Sequence, residues 1–211
     1  MLDEHRWNDL LKRMCGNDRV GNSFPKIVAA YSEPHRSYHT CDHIEACLSE
    51  FDRIRVACES PDLVECALWL HDVVYEPLAS DNEEKSALWA MEILTGSGCP
   101  ENTANQVRDL ILATKHVTPP VRMDARLMVD VDLAILGQPS AVFDIYDKNI
   151  RAEYFQVPEE SYRRGRAKVL RGFLERPAIF HTERFEESYG VQARRNLERV
   201  LRALEYPESA R

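Results

Sequence analysis

Four residues have the types and order that a divalent metal ion requires: His43, His71, Asp72 and Asp132. His71 and Asp72 are adjacent in the otherwise apolar run Leu68–Tyr75. An ionised carboxylate in such a run is costly unless it is paired or bound to a metal. With His43 upstream and Asp132 downstream, the set becomes two imidazoles and two carboxylates, donors suited to a divalent transition metal. Taken alone, His71 reads as a hydrogen-bonded core histidine; beside Asp72 it reads as a ligand.

Asp130 and Asp132 are two positions apart, so on a helix they point to nearly opposite sides. Met128, Ile135 and Leu136 surround Asp132, which makes it the inward ligand. Asp130 is then expected at the surface, behind the ligands or at a helix cap. His39 and His43 are four apart, but the zinc-protease pattern needs glutamate after the first histidine, and Thr40 stands there. His39 falls at the lip of a helix. It could hold phosphate, move protons or join a second metal; the plainer alternative is a capping or surface histidine.

Helices must position these residues. Apolar spacing near 3.6 residues recurs throughout, and glycine is scarce, with 8 in the chain. Helices are expected over 3–14, 22–32, 43–58, 61–74, 82–94, 101–114, 124–136, 140–155, 159–174 and 183–205. Ile44, Cys47, Leu48, Phe51 and Ile54 form one apolar stripe. Pro61 suits a first turn, and Glu76–Pro77 ends the helix that carries His71. No hairpin signal, internal repeat or linker interrupts the pattern. The expectation is a single all-α domain over 1–211, with a frayed tail from Tyr206.

Composition narrows the partners. At 44% apolar and 29% charged residues, the chain fits an ordinary soluble globular protein. No apolar run is long enough to span a membrane. A net charge of −8 argues against general nucleic-acid binding. Residues 1–7 lack the basic start and apolar run of a signal peptide, so the expected location is cytoplasmic. Six cysteines without a C-x-x-C pair are expected to be reduced, mostly buried thiols. The oligomeric state is open, with a homo-oligomer among the options.

The order His43, His71-Asp72, Asp132 on separate helices resembles the HD-domain metal-dependent phosphohydrolase superfamily. The segments 31–40 (YSEPHRSYHT), 67–75 (ALWLHDVVY), 81–87 (DNEEKSA), 130–137 (DVDLAILG) and 163–166 (RRGR) are similar to one bacterial branch of predicted HD hydrolases. The resemblance implies a helical bundle holding Mn, Co, Mg, Fe, Ni or Zn. It also implies hydrolysis of a small phosphorylated substrate, a nucleotide above all. Related hydrolases place an acidic residue shortly after the HD pair, but Tyr75 occupies that spot here, next to Glu76. The catalytic candidates are therefore Asp72, which can assist proton transfer, together with Glu76 and His116. Asp81 and Glu83 are further candidates for the base, and Asp81 equally fits a helix cap. His116 could stabilise a leaving group, bind a second metal or simply complement a helix C-terminus. Arg36, His39, Lys115 and Arg166 are the candidate phosphate contacts, although arginines on such helices often pair with glutamate. Two other functions remain in view: a di-iron oxygenase, using His39 and His116, and a non-catalytic module that binds metal or nucleotide.

Overall fold

A computed structural model describes residues 2–16 and 22–206. The chain is all-α, with no strand among the described residues. The helices are α1 Glu4–Cys15, α2 Phe24–Tyr31, α3 Cys41–Ile54, α4 Pro61–Leu70, α5 Asn82–Gly96, α6 Glu101–Ala113, α7 Met123–Leu133, α8 Ser140–Glu153, α9 Glu159–Leu174, the single turn α10 Glu183–Phe185, and α11 Val191–Glu205. None is long and apolar enough to cross a membrane among the described residues. The tail expected to fray lies, beyond Tyr206, outside the described residues.

The chain divides into two compact units, Met1–Asp132 and Leu133–Arg211. No linker marks the division, which falls at the last residue of α7. In the first unit α4 is central. It packs against α1, α3, α5 and α6, and every residue from Val64 to Leu70 is buried. Trp69 of α4 meets Trp7 of α1 with ring centroids 5.5 Å apart. The Tyr31 hydroxyl of α2 donates to the Trp69 carbonyl at 3.0 Å. Glu65 is buried on the same helix, and its carboxylate receives Arg6 Nε at 2.6 Å and Arg55 Nη1. In the second unit α11 packs on α9 and on the 3-10 turn Ala134–Gly137. Asn196 of α11 holds that turn by donating to the carbonyls of Leu136 and Gln138.

Three details differ from the sequence expectation. α4 stops at Leu70, not near Val74, so His71 and Asp72 occupy a turn beyond the helix. The cause is tertiary: Arg36 captures the carbonyls of Asp72 and Val73, and the Ser86 hydroxyl engages the N–H and carbonyl of Val74. Those backbone groups are therefore satisfied outside a helix. The segment 183–205 is not continuous either: a π-turn over Glu186–Gly190 interrupts it. There the Glu186 carboxylate lies across Gly190 and accepts the N–H groups of Ile179 and Phe180. Finally, Cys15 and Cys99 are disulfide-bonded, while Cys41, Cys47, Cys58 and Cys66 are free. The two bonded cysteines are 84 positions apart, a pairing that only the approach of α1 to the turn before α6 creates.

α7 is tied to the start of α4 by one carboxylate. Asp124, 1% exposed, accepts the N–H groups of Glu59 and Ser60 at 2.8 and 2.9 Å. The Ser60 N–H is one that a helix N-terminus leaves unsatisfied, and the Glu59 N–H belongs to the residue just before the cap. Asp124→Ala strands both, and we expect it to destabilise the protein by about 3 kcal/mol. Thermal unfolding should show this as a melting temperature roughly 6–12 °C lower. An unchanged melting temperature would show that the tie contributes nothing.

Candidate metal centre

All the residues of the centre belong to the first unit. α3 carries His43 and, one helical turn on, Cys47. Both fall on the buried stripe of that helix. The turn after α4 carries His71 and Asp72, and the end of α7 carries Asp132. His43 and His71 are 5% and 1% exposed, and each aspartate side chain is 17% exposed.

Four donor atoms converge. His43 Nε2 lies 3.2 Å from His71 Nε2. Asp72 Oδ2 is 3.5 Å from the first nitrogen and 3.1 Å from the second. Asp132 Oδ1 is 3.4 Å from both. Around an ion with bonds of about 2.1 Å, neighbouring ligands stand about 3.0 Å apart in an octahedron and about 3.4 Å apart in a tetrahedron. The observed separations match that spacing.

The tautomer of His71 supports the same fit. Its Nδ1 lies 3.0 Å from the Leu68 carbonyl, which can only accept, so Nδ1 carries hydrogen. In the neutral ring, Nε2 then directs a lone pair at His43 and at two carboxylates. That crowding needs a positive charge at its centre, supplied either by protons or by a metal ion. A carbonyl partner on the far nitrogen is also the usual support of a ligating histidine. A buried group of His43, Cys47, His71 and Asp132, with donor atoms within 4.8 Å of one another, is thus capable of holding a metal ion.

The protons of the metal-free centre follow from the same geometry. Burial alone would lower the affinity of His71 for a proton, but the charge of Asp72 and hydrogen bonds with Asp132 and Asp72 hold it well above the ordinary range. His43 is likewise raised: burial opposes the shift, and Cys47, Tyr38, Asp132 and Asp72 outweigh it. Burial would raise Asp72, yet the charges of His71 and His39 and hydrogen bonds from His43 and His71 hold it well below the usual carboxylate range. Asp132 is lowered against burial by hydrogen bonds from His116, His43 and His71.

The other sequence candidates fall in different places. His116 sits past α6 with φ of +56°, and its Nε2 is 3.6 Å from Asp132 Oδ2. The His39 ring lies 4.0 Å from the Tyr75 ring and 5.9 Å from that of His43, centroid to centroid. The Arg36 guanidinium is buried and donates to the carbonyls of His39, Asp72 and Val73 and to Glu33. It therefore positions the turn that carries His71 and Asp72. Lys115 binds Glu84 and the Ser80 carbonyl. Glu76 is exposed, with its backbone clasped by Asn82. Arg166 belongs to the second unit, where Nε and Nη2 both bind Asp147 Oδ1. Asp130 is not at the surface but fully buried, and of the two aspartates it is Asp132 that reaches the imidazoles. Cys47, which the sequence places on the apolar stripe, stands near these residues; its spacing of four from His43 is the signal for that. Comparison with family models, curated proteins and solved structures gives no match.

Two predictions follow from this geometry. In the metal-free protein the raised histidines stabilise fully below their unfolded value of about 6.5, and this is lost as pH rises through their folded values. The lowered aspartates stabilise above about 3.9, and this is lost as pH falls through their folded values. The contribution of the centre to the stability of the metal-free protein is therefore complete between about pH 4 and 6.5. Metal must displace the histidine protons, so the melting-temperature gain from Zn²⁺ over chelator should grow from mildly acidic to mildly alkaline pH. A gain independent of pH would contradict the assignment. Arg36→Met should weaken metal binding by about 10–100-fold in isothermal titration while helical circular dichroism is kept. Unchanged affinity would remove Arg36 from its positioning role.

Proposed function

We propose that the protein is a metal-dependent phosphohydrolase of the HD-domain kind, acting on a small phosphorylated metabolite, a nucleotide in particular. The observation that carries this reading is the convergence of His43, His71, Asp72 and Asp132 donors at separations of 3.1–3.5 Å. These residues would hold a divalent ion, with Mn, Co, Mg, Fe, Ni and Zn as the candidates. When bound, such an ion acidifies water and neutralises phosphoryl oxygen.

The remaining residues support the chemistry directly. Asp72 is partly exposed beside the imidazoles and is the candidate to assist proton transfer from attacking water, although the lowered affinity for a proton that His71, His39 and His43 impose in the metal-free centre makes it a weak base there. His116, 3.6 Å from Asp132, is the candidate to assist the leaving oxygen. Arg36 and Lys115 are engaged by the protein itself, and the candidates nearer the centre are His39, 5.9 Å from His43 between ring centroids, and His116, 3.6 Å from Asp132.

One observation favours a second reading. The two oxygens of Asp132 face different nitrogen donors, Oδ1 towards His43 and His71 and Oδ2 towards His116. A carboxylate so placed can bridge two ions, as a di-iron oxygenase requires. Two irons per chain by elemental analysis would favour it, and one would exclude it.

The test of the main reading is a phosphate-release screen on protein stripped with chelator and reloaded with each ion. We expect turnover with at least one nucleotide, and loss of at least about 100-fold in His71→Ala and Asp132→Ala, given what a supporting partner alone contributes. Silence across nucleotides, sugar phosphates and pyrophosphate, from folded and metal-loaded protein, would overturn it.

A further inference from the structure

α6 ends at Ala113, and the chain closes over Thr114, Lys115 and His116, whose N–H groups donate to the carbonyls of Ile111, Leu112 and Ala113. His116 then takes φ of +56°, the one non-glycine residue with positive φ among the described residues. Helices commonly close on such a left-handed residue, and glycine is its usual occupant because a side chain there is strained. Strain of this kind persists where the surroundings hold it. Glycine would relieve the backbone but remove the imidazole. The Nε2 of that ring stands 3.6 Å from Asp132 Oδ2, within ion-pair range and too long for a hydrogen bond.

The hold comes from the residue before. Lys115 Nζ donates to the Ser80 carbonyl at 2.9 Å and to the Glu84 carboxylate. Ser80 lies in the loop that follows the turn of His71 and Asp72, and Glu84 lies in the first turn of α5. Asn82 closes that loop by bonding the N–H and the carbonyl of Glu76. Lys115 therefore joins the segment that leaves Asp72 to the residue that precedes His116. Two acceptors on separate parts of the chain fix the direction of its ammonium. An exposed pair such as Lys85 with Asp81, four residues apart at the start of α5, does no such joining.

We propose that Lys115 is a positioning residue: by latching the end of α6 to Ser80 and Glu84, it keeps His116 in its left-handed turn beside Asp132, where the ring can serve the leaving oxygen of a substrate. For what His116 does, the proposal rests on the reading above; for where His116 is held, it stands by itself. A substrate phosphate would have to share the Lys115 ammonium with Glu84, so a latch and a phosphate contact predict different kinetics.

Hydrogen exchange reads the latch without substrate. Lys115→Met should speed exchange in the peptide spanning 112–118 by at least about tenfold while α4 is unchanged. The double variant Lys115→Glu with Glu84→Lys reverses the pair and should recover most of the difference. Lys85→Met should leave this peptide as it is. Unchanged exchange in Lys115→Met, or an equal rise in Lys85→Met, would overturn the latch. Kinetics read what the latch serves. In the phosphate-release assay, Lys115→Met and His116→Gly should each lower kcat by at least about tenfold, with KM within about threefold and metal content unchanged. Their double variant should be no slower than His116→Gly alone, since Lys115 acts through His116. A raised KM in Lys115→Met, or losses that add, would make Lys115 a phosphate contact and overturn the positioning role. A folded, metal-loaded wild-type protein without turnover would overturn the phosphohydrolase reading, and hydrogen exchange would still decide the latch.

Discussion

The buried guanidinium of Arg36 holds the carbonyls of Asp72 and Val73, and the shape of the centre depends on that hold. A helix running on from Leu70 would use those carbonyls for its own hydrogen bonds. Engaged by Arg36, they leave His71 and Asp72 in a turn, where adjacent side chains can face one point. On a regular helix adjacent residues point about 100° apart, so both could not reach the same ion so directly. Arg36 is itself held by Glu33 and by the rings of Tyr31 and Tyr75, 5.3 and 5.5 Å from its central carbon. Its charge serves the backbone, which is why a residue suited to phosphate is occupied elsewhere.

The same economy of charge runs through the first unit. Glu65, Asp124 and the four centre residues are all buried or mostly buried polar groups, and each finds a partner of opposite character. Glu65 meets Arg6 and Arg55, and Asp124 meets the open end of α4. The centre is the exception in kind: its carboxylates meet imidazoles, whose charge is conditional on pH or on a metal. A framework fixed by permanent charges thus carries one site whose charge can change.

The helices were legible in the sequence because apolar periodicity is a local signal. The buried stripe of α3 appeared at the expected residues, and the start of α4 at Pro61 followed from proline chemistry. Helix ends were less legible. The end of α4 depends on Arg36 and Ser86, which are distant in sequence, and the π-turn before α11 depends on how Glu186 crosses Gly190. The Cys15–Cys99 bond was hidden for the same reason: spacing along the chain carries no information about an 84-residue closure.

By itself the sequence determined the all-α class and the inventory of the centre, since His43, His71, Asp72 and Asp132 could be named from residue type, order and the cost of burying a carboxylate among apolar neighbours. Tertiary structure alone decided their distances, that Asp132 and not Asp130 faces the imidazoles, that Cys47 stands with them, and that Arg36, Lys115 and Arg166 are bound within the protein. The physical reason is range. Burial preference and helical period act over a few residues and are written in the chain, whereas a donor's aim depends on which distant backbone or charge satisfies its neighbours first.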